Sequence, residues 1–353
     1  MVEAVKSQSA AEYEAVRGGG AGLFDLSARG RVEVSGGEAV IFLNGMLTND
    51  VAKLEEGAWM HAALPNPQGR LLASVRVLRR EGAFLFDTEA ETYPTVLKHL
   101  ERFTLAGDFH VRDLTQETTL LSVQGARAAD IVTAATGEDV HGLARGRAAY
   151  VGDGRVGRPP AVIRATHTAE DGFDIFVGAD EASPLRQSLL DAGAKPCGID
   201  TLEVLRVEAG IPRYGLDASD ANVVLEVVDE AEAVSYTKGC YAGQEIIARI
   251  HWRGHVAKRL AGVIFERDAE PPADARLRAG DEGREAGRIT SSVYSPRLQR
   301  RVALAVVKYD FLAPGTELKV FSEGGEVCGA HVAPLPLVRG GWYAQAEGEG
   351  DSE

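Results

Sequence analysis

The sequence predicts an α+β chain of two or three structural units that ends in a small all-β barrel or sandwich. Three observations lead there. At 353 residues the chain is too long for one ordinary core. Up to about residue 257, segments of helical period are interleaved with short apolar runs. From about residue 258 onward only short apolar or alternating runs remain, separated by glycine, proline or charged turns.

Taken in order, residues 1–17 read as an amphipathic helix that stops at Gly18-Gly19-Gly20. A strand at 31–34 and a helix at 37–47 follow, the helix with Val40, Phe42 or Leu43, and Leu47 on one face. Strands at 60–64 and 71–77 flank the turn Pro65-Asn66-Pro67-Gln68-Gly69. A strand at 84–87 continues the sheet, and 92–103 is a helix with Pro94 in its first turn. A second, βαβ-like portion has strands at 119–123, 161–166 and 173–177 and helices at 126–136 and 181–192. Another helix at 199–208 is entered through Asp200 as N-cap. The final strands are expected at 260–265, 285–294, 302–307, 318–321 and 327–333. The units are therefore placed at 1–257 and 258–340, with a glycine- and glutamate-rich tail at 341–353 that is expected to be disordered.

Composition narrows the function classes. The chain is 45% apolar and 25% charged, ordinary for a globular protein. No run of about 18 apolar residues exists, so no membrane helix is expected. The N-terminus is acidic and lacks an apolar stretch, which argues against a signal peptide. Cys197, Cys240 and Cys328 offer neither a disulfide framework nor a zinc spacing, so a reducing cytoplasm is expected. A net charge of −14 disfavours nucleic-acid binding by the whole surface. Yet an acidic stretch from Asp217 to Glu232 gives way to Lys238, Arg249, Arg253, Lys258 and Arg259, opposed only by Glu245. Such a segment steers an anion or is simply a solvated helix face.

Four motifs stand out. Gly152-Asp153-Gly154-Arg155-Val156-Gly157 fits the dinucleotide-loop spacing, but Pro159-Pro160 follows where a helix must open, so it is a decoy. His251 and His255 have helical ligand spacing but no third partner, which favours anion contact or packing over metal. Glu208, near the end of an apolar helix, faces water, caps a turn, or pairs with a flat N–H/NH₂ edge such as that of a pterin. Cys240 lies beside Lys238 and just before a helix running to about residue 250. Cations and helix N-termini lower thiol pKa values, so Cys240 is either a reactive thiol or a small buried hydrophobe.

Several separated segments resemble one family. Gly22-Leu23-Phe24-Asp25-Leu26-Ser27, Leu47-Thr48-Asn49-Asp50-Val51 and Pro67-Gln68-Gly69-Arg70 look like the opening of the glycine-cleavage T-protein superfamily. Gly287-Arg288-Ile289-Thr290-Ser291 with Ser295-Pro296 looks like its C-terminal barrel. Residues 238–245 match the K-G-C-[FY]-x-G-Q-E motif of the YgfZ branch. The resemblance implies three subdomains in a ring around a central channel that holds tetrahydrofolate or a related reduced folate. It further implies a folate-binding accessory protein for iron–sulfur cluster assembly or repair, whose client enzymes include ones that modify tRNA. Cys240 becomes the expected functional centre. Leu205-Arg206-Val207-Glu208-Ala209-Gly210 follows the T-protein pattern L-R-x-E-A-G, which puts Glu208 on the pterin. Asn49, Lys238 and Tyr241 are further expected folate contacts. Arg249, Arg253 and Arg259 are candidates for the glutamate tail on charge alone. One departure matters: where the T-protein has paired aspartates, this chain has Ala73-Ser74. Losing a positioned acid/base group typically costs about 10²–10⁴ in rate. A folate-dependent aminomethyltransferase is therefore the alternative reading.

Overall fold

The computed structural model describes residues 2–105, 107–152, 159–272, 275–280 and 283–344. The helices are α1 (Val2–Arg17), α2 (Ala39–Met46), α3 (Tyr93–Glu101), α4 (Ala128–Thr136), α5 (Ala182–Asp191), α6 (Ile199–Ala209), the single turns α7 (Val224–Val227) and α8 (Glu230–Ala233), α9 (Gln244–Arg253) and α10 (Gly341–Ala344). The strands are β1 (Gly22–Asp25), β2 (Gly30–Ser35), β3 (Trp59–Pro65), β4 (Leu71–Arg80), β5 (Ala83–Thr88), β6 (His110–Asp113), β7 (Thr118–Gln124), β8 (Ala148–Tyr150), β9 (Ala161–Arg164), β10 (Gly172–Gly178), β11 (Lys195–Pro196), β12 (Lys258–Phe265), β13 (Arg276–Ala279), β14 (Arg284–Ser295), β15 (Arg300–Lys308), β16 (Glu317–Ser322) and β17 (Gly325–Ala333).

They form three subdomains. A five-stranded sheet of order β3-β4-β5-β2-β6 carries α2 and α3. A six-stranded sheet of order β11-β1-β7-β10-β9-β8 carries α4 and α5. The strands β12-β15-β14-β13-β16-β17 close into a barrel, the closed alternative of the two expected for the C-terminal region. Closure leaves no open sheet edge.

Register explains the apolar runs. On β15, Ala303, Ala305 and Val307 point into the barrel core. Val302 and Leu304 point the other way and pack against Val207 of α6. Both faces are covered, so the strand reads as continuous apolar sequence rather than an alternation. α6 is likewise clamped between the barrel and the N-terminal part, and Leu205, Val207, Glu208 and Ala209 are all buried.

Three sequence expectations are corrected. The second portion is not βαβ-like: β7 pairs antiparallel with both β1 and β10, and β9 pairs antiparallel with β10 and β8. The helices that suggested crossovers instead cover one face. Asp200 is not the N-cap of α6; Gly198 is, and Asp200 sits in the first turn. β1, β6, β8, β11 and β13 were not foreseen, each being four residues or fewer. The glycine motif at 152–157 lies, apart from Gly152, outside the described residues.

Candidate functional site

Polar side chains converge where the two N-terminal sheets meet. On β4, Arg76 spans two carboxylates, Asp87 at 2.6 Å and Asp174 at 2.5 Å. Asp87 also receives a two-pronged contact from Arg29, each prong at 2.8 Å. Asp174, on β10 of the other sheet, receives His167 at 2.8 Å. Burial opposes ionisation of Asp174, but His167 and Arg76 outweigh it and hold the carboxyl well below the usual carboxylate range. Its Oδ1 atom is buried and makes no well-formed hydrogen bond among the described residues, although the Ser122 hydroxyl, directly across on β7, also helps keep the carboxyl ionised. A carboxylate oxygen held this loosely has capacity for a further donor.

His61 forms the wall of the same region. It pairs in register with Arg76 across β3 and β4, so the two share a sheet face. Burial, then Arg76 and His167, push its imidazole down to about 3. Nevertheless 44% of the side chain is accessible, and Glu232 lies 3.8 Å away with 53% accessible. His61 and Glu232 therefore stand where solvent meets the buried polar cluster. Ser74 and Ala63, the next pair on the same face, share it with them, while Ala73 is turned to the other side and is fully buried. Ser74 thus lies two register positions from the His61–Arg76 pair on the same face, and Ala73 three positions away on the other.

The residues expected from sequence are placed differently. Glu208 is not open to a pterin edge. Its oxygens accept from Tyr13 at 2.9 and 3.0 Å, from Arg17 at 3.0 and 3.3 Å and from Ser295 at 2.5 Å. A fully buried carboxylate must be paired this way, and here the partners are internal. Asn49 spends both amide hydrogens on the carbonyls of His61 and Glu232, at 2.8 and 2.9 Å. It therefore fixes the interior wall through the backbone. Lys238 does not face Cys240; its Nζ donates to the carbonyls of Asn44, Leu47 and Asn49, each at 2.7 Å. Burial pulls it down to about 8, with Asp50 acting the other way.

Tyr241 is buried under Lys238, whose Nζ is 5.0 Å from the ring centroid, and its hydroxyl has no partner among the described residues. Burial pushes that hydroxyl up to about 12. Cys240 is exposed, whereas Cys328 is buried and Cys197 intermediate. Arg249 pairs with Glu245 at 2.8 Å, Arg253 is exposed at the end of α9, and Arg259 lies 3.8 Å from Glu230. His251 bonds Glu230 and stacks on Tyr236, and His255 stacks on Tyr309. Asp174, His167, His61 and Arg76 were missed by sequence reasoning. The signal available was two ionisable residues seven apart, His167 and Asp174, around the Gly172 turn; only a cross-sheet partner gives that spacing meaning.

The chain's relatives agree with this architecture. Residues 3–229 match the GCVT N-terminal domain, and residues 258–338 match the glycine cleavage T-protein C-terminal barrel domain. The chain belongs to the glycine-cleavage T-protein family. It is 33% identical over 320 residues to an aminomethyltransferase of Thermus thermophilus, covering 90% of this chain and 87% of that one. It is also 33% identical over 331 residues to an aminomethyltransferase of Rubrobacter xylanophilus, covering 93% and 86%. Its structure is similar to that of glycine cleavage system aminomethyltransferase T from Bartonella henselae, with a TM-score of 0.84, 26% identity, and coverage of 94% and 90%. Tetrahydrofolate is the cofactor of this T-protein family. Among the described residues no helix is long and apolar enough to cross a membrane.

The interior site fits such a group. Asp174 offers an unused acceptor, and His167 and His61 offer ring nitrogens on the same wall. A pteridine edge of N–H and NH₂ groups is complementary to an ionised carboxylate.

Proposed function

We propose that this T-protein family member binds a reduced folate in the interior between its two N-terminal sheets, with Asp174 accepting from the pteridine's N–H/NH₂ edge. The observation that carries this reading is the buried Oδ1 of Asp174, which no well-formed hydrogen bond occupies even with Ser122 across the strand pair. His167, with 17% of its side chain accessible, covers Asp174 from the solvent side. Turning its ring frees the Oδ2 that it holds, so that both carboxylate oxygens face a ligand, while Arg76 keeps the charge balanced. The bound folate supplies a nucleophilic ring nitrogen that carries a one-carbon unit.

For the reaction, the relatives' names favour folate-dependent aminomethyl transfer over an accessory role in iron–sulfur maintenance. Two observations keep the second, YgfZ-like reading in play. Ala73 and Ser74 provide no carboxylate beside the interior wall, and Cys240 of the 238–245 motif is exposed. Calorimetric titration with tetrahydrofolate tests the binding site. Asp174→Asn is expected to weaken binding by roughly tenfold or more, since a hydrogen bond to a charged group is worth about 1.5–3 kcal/mol. Glu208→Gln is expected to destabilise the fold without a comparable loss per folded molecule. The opposite pattern would return the pterin to Glu208. Turnover of an aminomethylated lipoyl carrier with tetrahydrofolate then separates the reactions: turnover supports transfer, and binding without turnover supports the accessory role.

A further inference from the structure

A second concavity lies away from the interior site, between α9 and the barrel. Leu225, Ile250, Val256 and Leu312 give it an apolar floor, and its volume is about 230 Å³. That falls below the roughly 300–1,000 Å³ of pockets for drug-sized ligands, so it does not seat a whole folate. The imidazole of His255 and the ring of Tyr309, stacked with centroids 3.5 Å apart, form one wall.

The charged groups at the rim are opposite and incompletely paired. Glu230 is held in place through Oε1, which accepts from the Tyr236 hydroxyl at 2.7 Å and from His251 Nδ1. Tyr236 and His251 in turn stack on each other, with centroids 3.8 Å apart. Glu230 Oε2 lies 3.8 Å from Arg259, too far for a hydrogen bond. Arg259 is about half exposed, and Glu230 is the one carboxylate within 4 Å of it among the described residues. The rim thus presents a fixed acceptor oxygen and a guanidinium with spare donors, above an apolar floor.

We propose that this cleft binds a small α-amino acid with an apolar side chain, its ammonium on Glu230 and its carboxylate on Arg259. A zwitterion matches a balanced pair of opposite charges; a bare anion would meet Glu230, and a bare cation would meet Arg259. The apolar floor selects an aliphatic side chain over a polar one. Guanidinium pairs with carboxylate in a planar fork, and a carboxylate oxygen accepts from an ammonium.

Calorimetry on the full chain tests this with L-leucine, 4-methylpentanoate and isoamylamine, which share the apolar body but carry both charges, only the negative, or only the positive. Leucine is expected to bind at least about tenfold more tightly than either fragment. Arg259→Gln, a change at an exposed position, and Glu230→Gln are each expected to lose leucine binding, and Glu230→Gln is expected to leave tetrahydrofolate affinity unchanged. Absence of leucine binding by the wild type would overturn the proposal, as would 4-methylpentanoate binding as tightly as leucine, or leucine binding retained in Arg259→Gln. Failure here with tetrahydrofolate still bound leaves the folate reading intact, because the two sites share no residue.

Discussion

Single residues in this protein differ most in how far water reaches them. Cys240 is exposed, Cys197 is pushed up to about 12 by burial and Glu12, and Cys328 is pushed up chiefly by burial. The thiolate is the reactive form, so native protein treated with a maleimide at neutral pH is expected to be labelled first at Cys240. Peptide mass spectrometry over a time course reads the order, and labelling at Cys197 ahead of Cys240 would contradict it. His61 gives a pH prediction with a definite sign. Its folded pKa, about 3, lies below the unfolded value near 6.5, so between these pH values the unfolded chain holds more protons. Stability from this residue therefore falls as pH drops from about 6.5 toward 3. Asp174, also depressed, loses its contribution only as pH falls below about 4, its unfolded value. Denaturant melts at pH 7 and pH 5 are expected to show a drop that His61→Gln reduces. The His61 ring resonances, assigned by comparison with His61→Gln, should not titrate between pH 5 and 8.

At the scale of elements, the 238–245 segment is held by its lysine rather than activated by it. The carbonyls of Asn44 and Leu47 end α2, where helix carbonyls lack intrahelical partners and a cation is favourable. Gly243 then takes φ +77 with its α-carbon so close to the turn that a Cβ would sit 2.5 Å from the Asn66 carbonyl. Lys238→Met keeps the apolar stem and leaves three carbonyls unsatisfied. It is expected to cost about 2–4 kcal/mol in urea melts and to leave Cys240 labelling as fast as before or faster. Slower labelling would mean that Lys238 does activate the thiol.

The same segment shows what could and could not be read from the sequence. Spacing and composition gave a helix after Cys240 and a lysine beside it, and α9 is there. Which way the lysine points depends on α2, about 190 residues earlier in the chain. Long periodic elements such as α6 and β15 were legible because burial repeats along them. Strands such as β1 and β11 were not, because two to four residues carry no period, and their pairing is set by partners distant in sequence. Glu208 illustrates the harder limit. A carboxylate in an apolar helix signals a partner, yet the sequence cannot say whether that partner is a ligand or Tyr13 and Arg17 of α1 and Ser295 of β14.

At the scale of the whole molecule, the three subdomains are tied by buried polar links and by the chain's own end. Arg76 with Asp174 joins the two sheets, and Arg206 joins α6 to Asp217 and to Ser291 of the barrel. After the barrel the chain returns to the six-stranded subdomain. Trp342 N–H donates to Ala169 at 3.1 Å, Gly341 N–H donates to Glu170 at 2.8 Å, and the Arg145 guanidinium lies 3.9 Å from the Trp342 ring centroid. Residue 341 was expected to open a disordered tail, but Trp342 is only 7% exposed. Glu170 also pairs with Arg17, which pairs with Glu208, so this strap reaches the helix that carries the barrel. Trp342→Ala removes a large buried side chain and the cation–π contact, and is expected to cost about 3 kcal/mol or more. Because the strap crosses between subdomains, the loss should fall on their association before it falls on either sheet. Limited proteolysis is then expected to cut near residue 339 faster in the variant, while amides of β7 and β10 keep their protection from hydrogen exchange. Equal loss of protection in β7, β10 and the barrel would instead show that the strap holds no boundary and that the molecule unfolds as one unit.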